Sequence, residues 1–190
     1  MLYLIAGILL WALAHMVKRL MPGFRRDLTI ALGEQPSRGL VAAAIAAALI
    51  LMVVGFIRAE TIPVYAPLPG MGHVNNLLMV VAIFAMGIGP AGGRLNARFR
   101  HPMLFGVILW GVAHLLVNGD LASILLFGSM ILWALLEIRL INQQEGPWER
   151  PMPGNAVQDG KLFLGSVFVY IVIAGIHWLA DHNPFLGTYG

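Results

Sequence analysis

The chain of 190 residues contains no cysteine. That excludes thiolate catalysis, disulfides and cysteine–metal ligation. It is also poor in charge. Asp, Glu, Lys and Arg make up 11% of the residues, where a soluble domain carries about a quarter. No HExxH pattern is present. The glycines of "GIGPAGG" have no strand before them and no Lys-Ser/Thr after them, so they do not form a phosphate loop. The few basic residues sit where headgroup anchors belong, which leaves nucleic acid out as a partner.

What is present is apolar. Hydrophobic residues make up 59% of the chain and the mean hydropathy is +0.81. Several runs approach the ~20 residues needed to cross a bilayer as a helix. The pattern predicts an all-α polytopic membrane bundle of about six transmembrane helices. The whole chain, 1–190, reads as one integral membrane domain. The expected spans are 2–18, 39–58, 73–90, 102–118, 120–138 and 161–181. Gly119 offers a stop and Asp120 an N-cap, so spans four and five form a tight hairpin. The other joints are rich in Pro and Gly: "MPGFRRD", "IPVYAPLPGMG", "GPAGG" and "EGPWERPMPG". The first span lacks a basic n-region and a small-x-small site, and is expected to be a span rather than a cleaved signal.

Charge sets the expected orientation. Lys18, Arg19, Arg25, Arg26, Arg38, Arg94, Arg98, Arg100, Arg139, Arg150 and Lys161 fall in joints on one side; Arg58 alone falls on the other. The positive-inside rule places the basic joints in the cytoplasm. Both termini are then outside.

Two segments repeat a motif: "LLWALAHM" at 9–16 and "ILWGVAHL" at 108–115. Each sets a His four residues after a Trp, one helical turn on and on the same face. The two spans run in opposite directions. A 3+3 inverted repeat is one reading of this likeness; chance recurrence in Leu-, Trp- and Ala-rich helices is the other. An imidazole inside a bilayer needs a partner, because an unpaired polar group there costs several kcal/mol. The partner is a side chain or carbonyl, a proton relay, or a metal, of which haem iron is the most plausible. His15 and His114 are the candidates. His177 lies inside span six with Asp181 one turn on, and is the substitute partner for His114. Asn118, one turn beyond His114, is a candidate to orient its ring. Arg100 and His101 precede Pro102 at the start of span four, at headgroup level, where Arg suits an anionic group. His101 and His114 do not share a face. His15 and His114 are also expected at different depths, which bears on whether one iron meets both.

The segment "RHPMLFGVILWGVAHLLVNGDLASILLFG" closely resembles the signature of the NnrU family of bacterial membrane proteins. The N-terminal "AHMVKRLMPGFRRDLTIALGEQPSRGL" looks like that family's opening. The resemblance implies a link to expression of nitrite and nitric oxide reductases. The family is similar to the 15-cis-ζ-carotene isomerases, membrane enzymes carrying haem b. It implies His15 and His114 as axial ligands of a non-covalent haem b, with His101 also important. An apolar isoprenoid substrate would follow, with membrane lipid and a membrane protein or a second copy as partners. The isomerases have a Cys where this chain has Gly111, so a Cys/His ligand switch is excluded here. Gly111 is expected instead to let a flat ring approach the helix. Two other readings stay open: an S-adenosylmethionine-dependent membrane methyltransferase, from the "RHP" and hairpin, and a non-catalytic assembly or redox-sensor protein. The sequence does not decide whether the protein is an enzyme.

Overall fold

The computed structural model describes residues 1–186, 188 and 189. Among these residues seven helices form the fold and no strand is present. They are α1 (Leu2–Leu20), α2 (Pro22–Leu32), α3 (Glu34–Ile57), α4 (Met71–Ala91), α5 (Pro102–Val117), α6 (Leu121–Glu145) and α7 (Ala156–Leu179). Helices α1, α3, α4, α6 and α7 are each long and apolar enough to cross a membrane; α5 is apolar but shorter. Sixteen residues span ~24 Å at 1.5 Å each, somewhat less than a hydrocarbon core of ~30 Å. The chain is a multi-pass membrane bundle.

The six apolar helices match the six expected spans, with shifted ends. Helix α3 starts at Glu34, α6 runs on to Glu145 and α7 starts at Ala156. Local caps set these limits rather than hydropathy. Asn155 accepts a hydrogen bond from the Val157 N–H at 2.9 Å and opens α7. Gly146, at φ 70°, closes α6. Helix α2 was not expected, because its segment looked like a Pro/Gly joint. Pro22 instead opens a helix, as Pro does in a first turn. Phe24, Leu28 and Ala31 then recur at helical spacing, opposite Arg26.

Neighbouring helices pack in the order α3–α1–α6–α5–α4–α7, with α2 against α1 and α3. A buried cluster of Leu4, Met16, Met52, Ala122, Met130, Trp133 and Ala134 joins α1, α3 and α6. Large apolar side chains such as Leu9, Ile50, Phe168 and Leu164 stay exposed on the outer faces. In a membrane these faces meet lipid, and helices must associate through close packing rather than through hydrophobic burial.

Small residues make that packing. A Cβ on Gly7 would lie 2.7 Å from the Met52 amide nitrogen. A Cβ on Gly55 would collide with the Leu4 backbone. The α1–α3 contact is therefore backbone on backbone and tolerates no added atom at either place.

The α5–α6 joint is as expected, and is also clasped by the segment between α3 and α4. Asp120 caps α6: its carboxylate accepts from the Ser123 N–H at 3.0 Å and from the Ser123 hydroxyl at 2.6 Å. The Gly119 carbonyl accepts from the amides of Val64 and Tyr65, at 2.8 and 3.0 Å. The Tyr65 hydroxyl donates to the carbonyls of Leu115 and, at 2.8 Å, Asn118. Those carbonyls end α5 and have no partner within it. Burial and the Asp120 charge raise the Tyr65 phenol above its ordinary value, which keeps it a donor.

Gly55→Ala should destabilise the bundle by about 1–3 kcal/mol, the usual cost of overpacking. Thermal unfolding in detergent checks this. A Gly39→Ala control meets open space and should unfold like the wild type.

Candidate functional site

Three intramembrane histidines share one arrangement. His15, His114 and His177 each point Nδ1 at the carbonyl four residues back: Trp11 at 2.9 Å, Trp110 at 2.9 Å and Ile173 at 2.8 Å. A carbonyl only accepts, so Nδ1 carries the proton in each ring. That fixes the tautomer, leaving Nε2 with its lone pair available as an acceptor or ligand. Each helix thus supplies the buried imidazole's partner from its own backbone.

Asn118 was expected to orient the His114 ring. Its side-chain amide instead donates to the His114 backbone carbonyl at 2.9 Å, while Trp110 takes the ring proton. The i−4 carbonyl is closer in geometry than a side chain one turn on. Asp181 likewise lies beyond the end of α7, at φ 60°, and the His177 ring proton goes to Ile173.

Aromatic walls surround the rings. His15 lies 4.2 Å from Trp11 and 5.0 Å, edge to face, from Trp133. His114 stacks on Phe127 at 4.4 Å, with Trp110 at 5.3 Å. Phe127 belongs to a π-helical stretch of α6, Ile124–Gly128. Such wider turns are frequent at functional sites, and here one re-aims Phe127 at His114. Gly111, expected to admit a flat ring, is filled against α6. A Cβ there would lie 2.6 Å from Ile131 and 3.1 Å from the Phe127 carbonyl.

Helix α6 therefore stands between His15 and His114. The residues that touch them, Trp133 and Phe127, are six apart along α6, or ~9 Å in depth at 1.5 Å per residue. His177 stands on α7, which packs on α4 and not across α6 from α5.

Arg100 and His101 tie the start of α5 to the end of α6. Arg100 donates to the Gly146 carbonyl at 2.8 Å and approaches Glu145 at 3.8 Å; His101 Nε2 bonds the Asn142 side chain at 2.8 Å. Both side chains are engaged within the protein, and His101 Nε2 is occupied.

Sequence reading passed over Glu137. It lies in α6, one turn past Trp133, and pairs with Arg19 of α1 at 2.5 Å; the two side chains are 8% and 10% exposed. Among the described residues its second oxygen has no partner, nor do the indole N–H groups of Trp11 and Trp133. An acid inside an apolar span was the signal available, since membrane spans carry such groups only for a reason.

The residues can be tested against a haem. Among the described residues no group of three or more His, Asp or Glu gathers to hold a bare metal ion. The donors on offer are single imidazoles with Nε2 unprotonated, flanked by flat apolar rings. That is the donor chemistry of axial haem ligation, so the residues fit the group.

Fold and site together define an all-helical, multi-pass membrane protein with helix-anchored histidines among aromatic side chains. The family model described as NnrU protein matches residues 3–184, nearly the whole chain, and the chain belongs to that family. No curated protein and no solved structure matches it.

Glu137→Ala should be among the more damaging single changes, because it removes the buried partner of Arg19 and leaves it only the exposed Glu145 at 4.0 Å. Breaking a buried pair this way costs about 3–5 kcal/mol. Thermal unfolding of Glu137→Ala and of Arg19→Ala with Glu137→Ala together checks it: the double change should recover part of the loss.

Proposed function

We propose that this NnrU-family protein binds haem b within the membrane, with Nε2 of His114 as an axial ligand. The carrying observation is the bond from Nδ1 of His114 to the Trp110 carbonyl, which leaves Nε2 bare. His177 is the favoured second ligand, because it presents the same tautomer and, unlike His15, is not set across α6 from His114. His15 is the alternative second ligand, favoured by its matching Trp-x-x-Ala-His setting and identical backbone bond. Without cysteine, attachment is non-covalent. A bound haem supplies an iron that responds to redox state and to nitric oxide.

The chain's own residues hold and orient. Trp110 and Phe127 wall the His114 ring and exclude water. The backbone carbonyl strengthens the imidazole as a donor by holding its other proton. Such a site suits a membrane sensor or assembly factor serving nitrite and nitric oxide reductases, in line with the family's name. The same apolar walls also suit a flat polyene, as in the carotene isomerases the family resembles. The bacterial setting of the family the chain resembles fits an inner membrane, and the eleven-to-one distribution of basic residues supports periplasmic termini there.

Absorption spectra of the purified protein, oxidised and reduced, test the haem. Wild type should show a low-spin b-type spectrum. His114→Ala should lose the haem or hold it weakly. The variant of the second ligand should turn five-coordinate and bind carbon monoxide, and this is expected of His177→Ala rather than His15→Ala. An unchanged low-spin spectrum in His114→Ala overturns the proposal.

Orientation is tested with single cysteines. Leu68 and Gln143 are exposed at opposite ends of the bundle. In intact spheroplasts Leu68→Cys should label from outside and Gln143→Cys should not. The reverse result inverts the topology.

A further inference from the structure

A groove of about 350 Å³ opens between α1, α2 and α3, away from the His114 site. Its rim carries Lys18, Arg25 and Arg38, and its apolar bed includes Val41, Ala42 and Ile45. His15 also lines it.

The charges are not balanced within the protein. Arg38 pairs with Glu34 at 2.6 Å, and Arg26 pairs with Asp27 at 3.8 Å on the outer side of α2. Among the described residues, neither Lys18 nor Arg25 has a carboxylate within salt-bridge distance. Arg25 is nonetheless held in place. One terminal nitrogen donates to the Thr29 hydroxyl at 2.8 Å and to the Ser37 hydroxyl at 2.7 Å. Ser37 is fully buried and bonds back to the Glu34 carbonyl at 3.2 Å. Hydroxyls orient a guanidinium without neutralising it. The other donors of the fork are left for an anion.

We propose that this groove binds an anionic membrane phospholipid, its phosphate held by Arg25 and Lys18 and one chain lying on Val41, Ala42 and Ile45. Guanidinium forks match phosphate oxygens in geometry and charge. Helix α2 carries charged residues across the end of the apolar α1 and α3, the level at which headgroups lie. The apolar bed favours a lipid over free phosphate, which has nothing to place there. The double hydroxyl anchor separates this site from general attraction between basic residues and an anionic surface.

Retained lipid, measured by native mass spectrometry on protein from mixed phosphatidylglycerol–phosphatidylcholine nanodiscs, tests it. Wild type should keep one phosphatidylglycerol in preference to phosphatidylcholine. Arg25→Gln should lower that retention about tenfold or more, as expected for losing a charge-assisted bond. Thr29→Val should lower it less. Arg26→Gln removes the same charge from the same helix but outside the groove, and should change nothing. Equal losses in Arg25→Gln and Arg26→Gln, or no headgroup preference in the wild type, overturn the proposal. Displacement of the lipid by inorganic phosphate at millimolar concentration would make the ligand free phosphate and also overturn it. Haem absorbance on the same samples separates this site from the iron site. It should be unchanged in Arg25→Gln, and haem loss with normal lipid retention would reassign the groove to the haem's carboxylates.

Discussion

A polar group enclosed by apolar helices is costly unless it finds a partner within the protein, and that cost organises most of this molecule, with the Trp11 and Trp133 indoles and one Glu137 oxygen as exceptions among the described residues. The main chain meets it by forming helices. Each intramembrane histidine meets it with the carbonyl one turn back. The bond needs no second helix, so the tautomer is settled locally wherever such a histidine is placed. The Tyr65 hydroxyl and the Asp120 carboxylate serve the same need at the α5–α6 joint, where two helix ends would otherwise leave bare carbonyls and amides.

Helix α6 is the element on which the site turns. It separates α1 from α5 and contacts both. One side presents Trp133 to His15 and Glu137 to Arg19; the π-helical stretch presents Phe127 to His114. Extra backbone in that stretch changes the direction of Phe127 without breaking the helix. The result is two distinct imidazole environments at different depths, in place of one site shared by the two similar segments. The likeness of "LLWALAHM" and "ILWGVAHL" is carried by matching local bonds, whereas their surroundings differ. Both halves pair their first two spans, α1 with α3 and α5 with α6, but the close α4–α5 contact has no α7–α1 counterpart of similar extent.

The groove between α1, α2 and α3 shows how a cation is kept available near a membrane surface. Carboxylate pairing neutralises Arg38 and Arg26, but Arg25 is positioned by hydroxyls alone. Neutral anchors give a guanidinium direction while leaving its charge for a ligand.

The sequence by itself determined the class of molecule, because hydropathy and charge act along the chain. Six apolar runs became six apolar helices, and the Gly119–Asp120 hairpin formed as its residues require. His15, His114 and His177 could be singled out because a buried imidazole is costly wherever it falls. The pattern of Phe24, Leu28 and Ala31 could also have shown α2, which the Pro and Gly of the same joint obscured. Tertiary structure alone decided the rest. It set α6 between His15 and His114, filled the space at Gly111 with Ile131, and turned Arg100 and His101 into a latch on the end of α6. These outcomes depend on which helix lies beside which. Lipid-facing and protein-facing residues are equally apolar, so periodicity along a span does not reveal its neighbours.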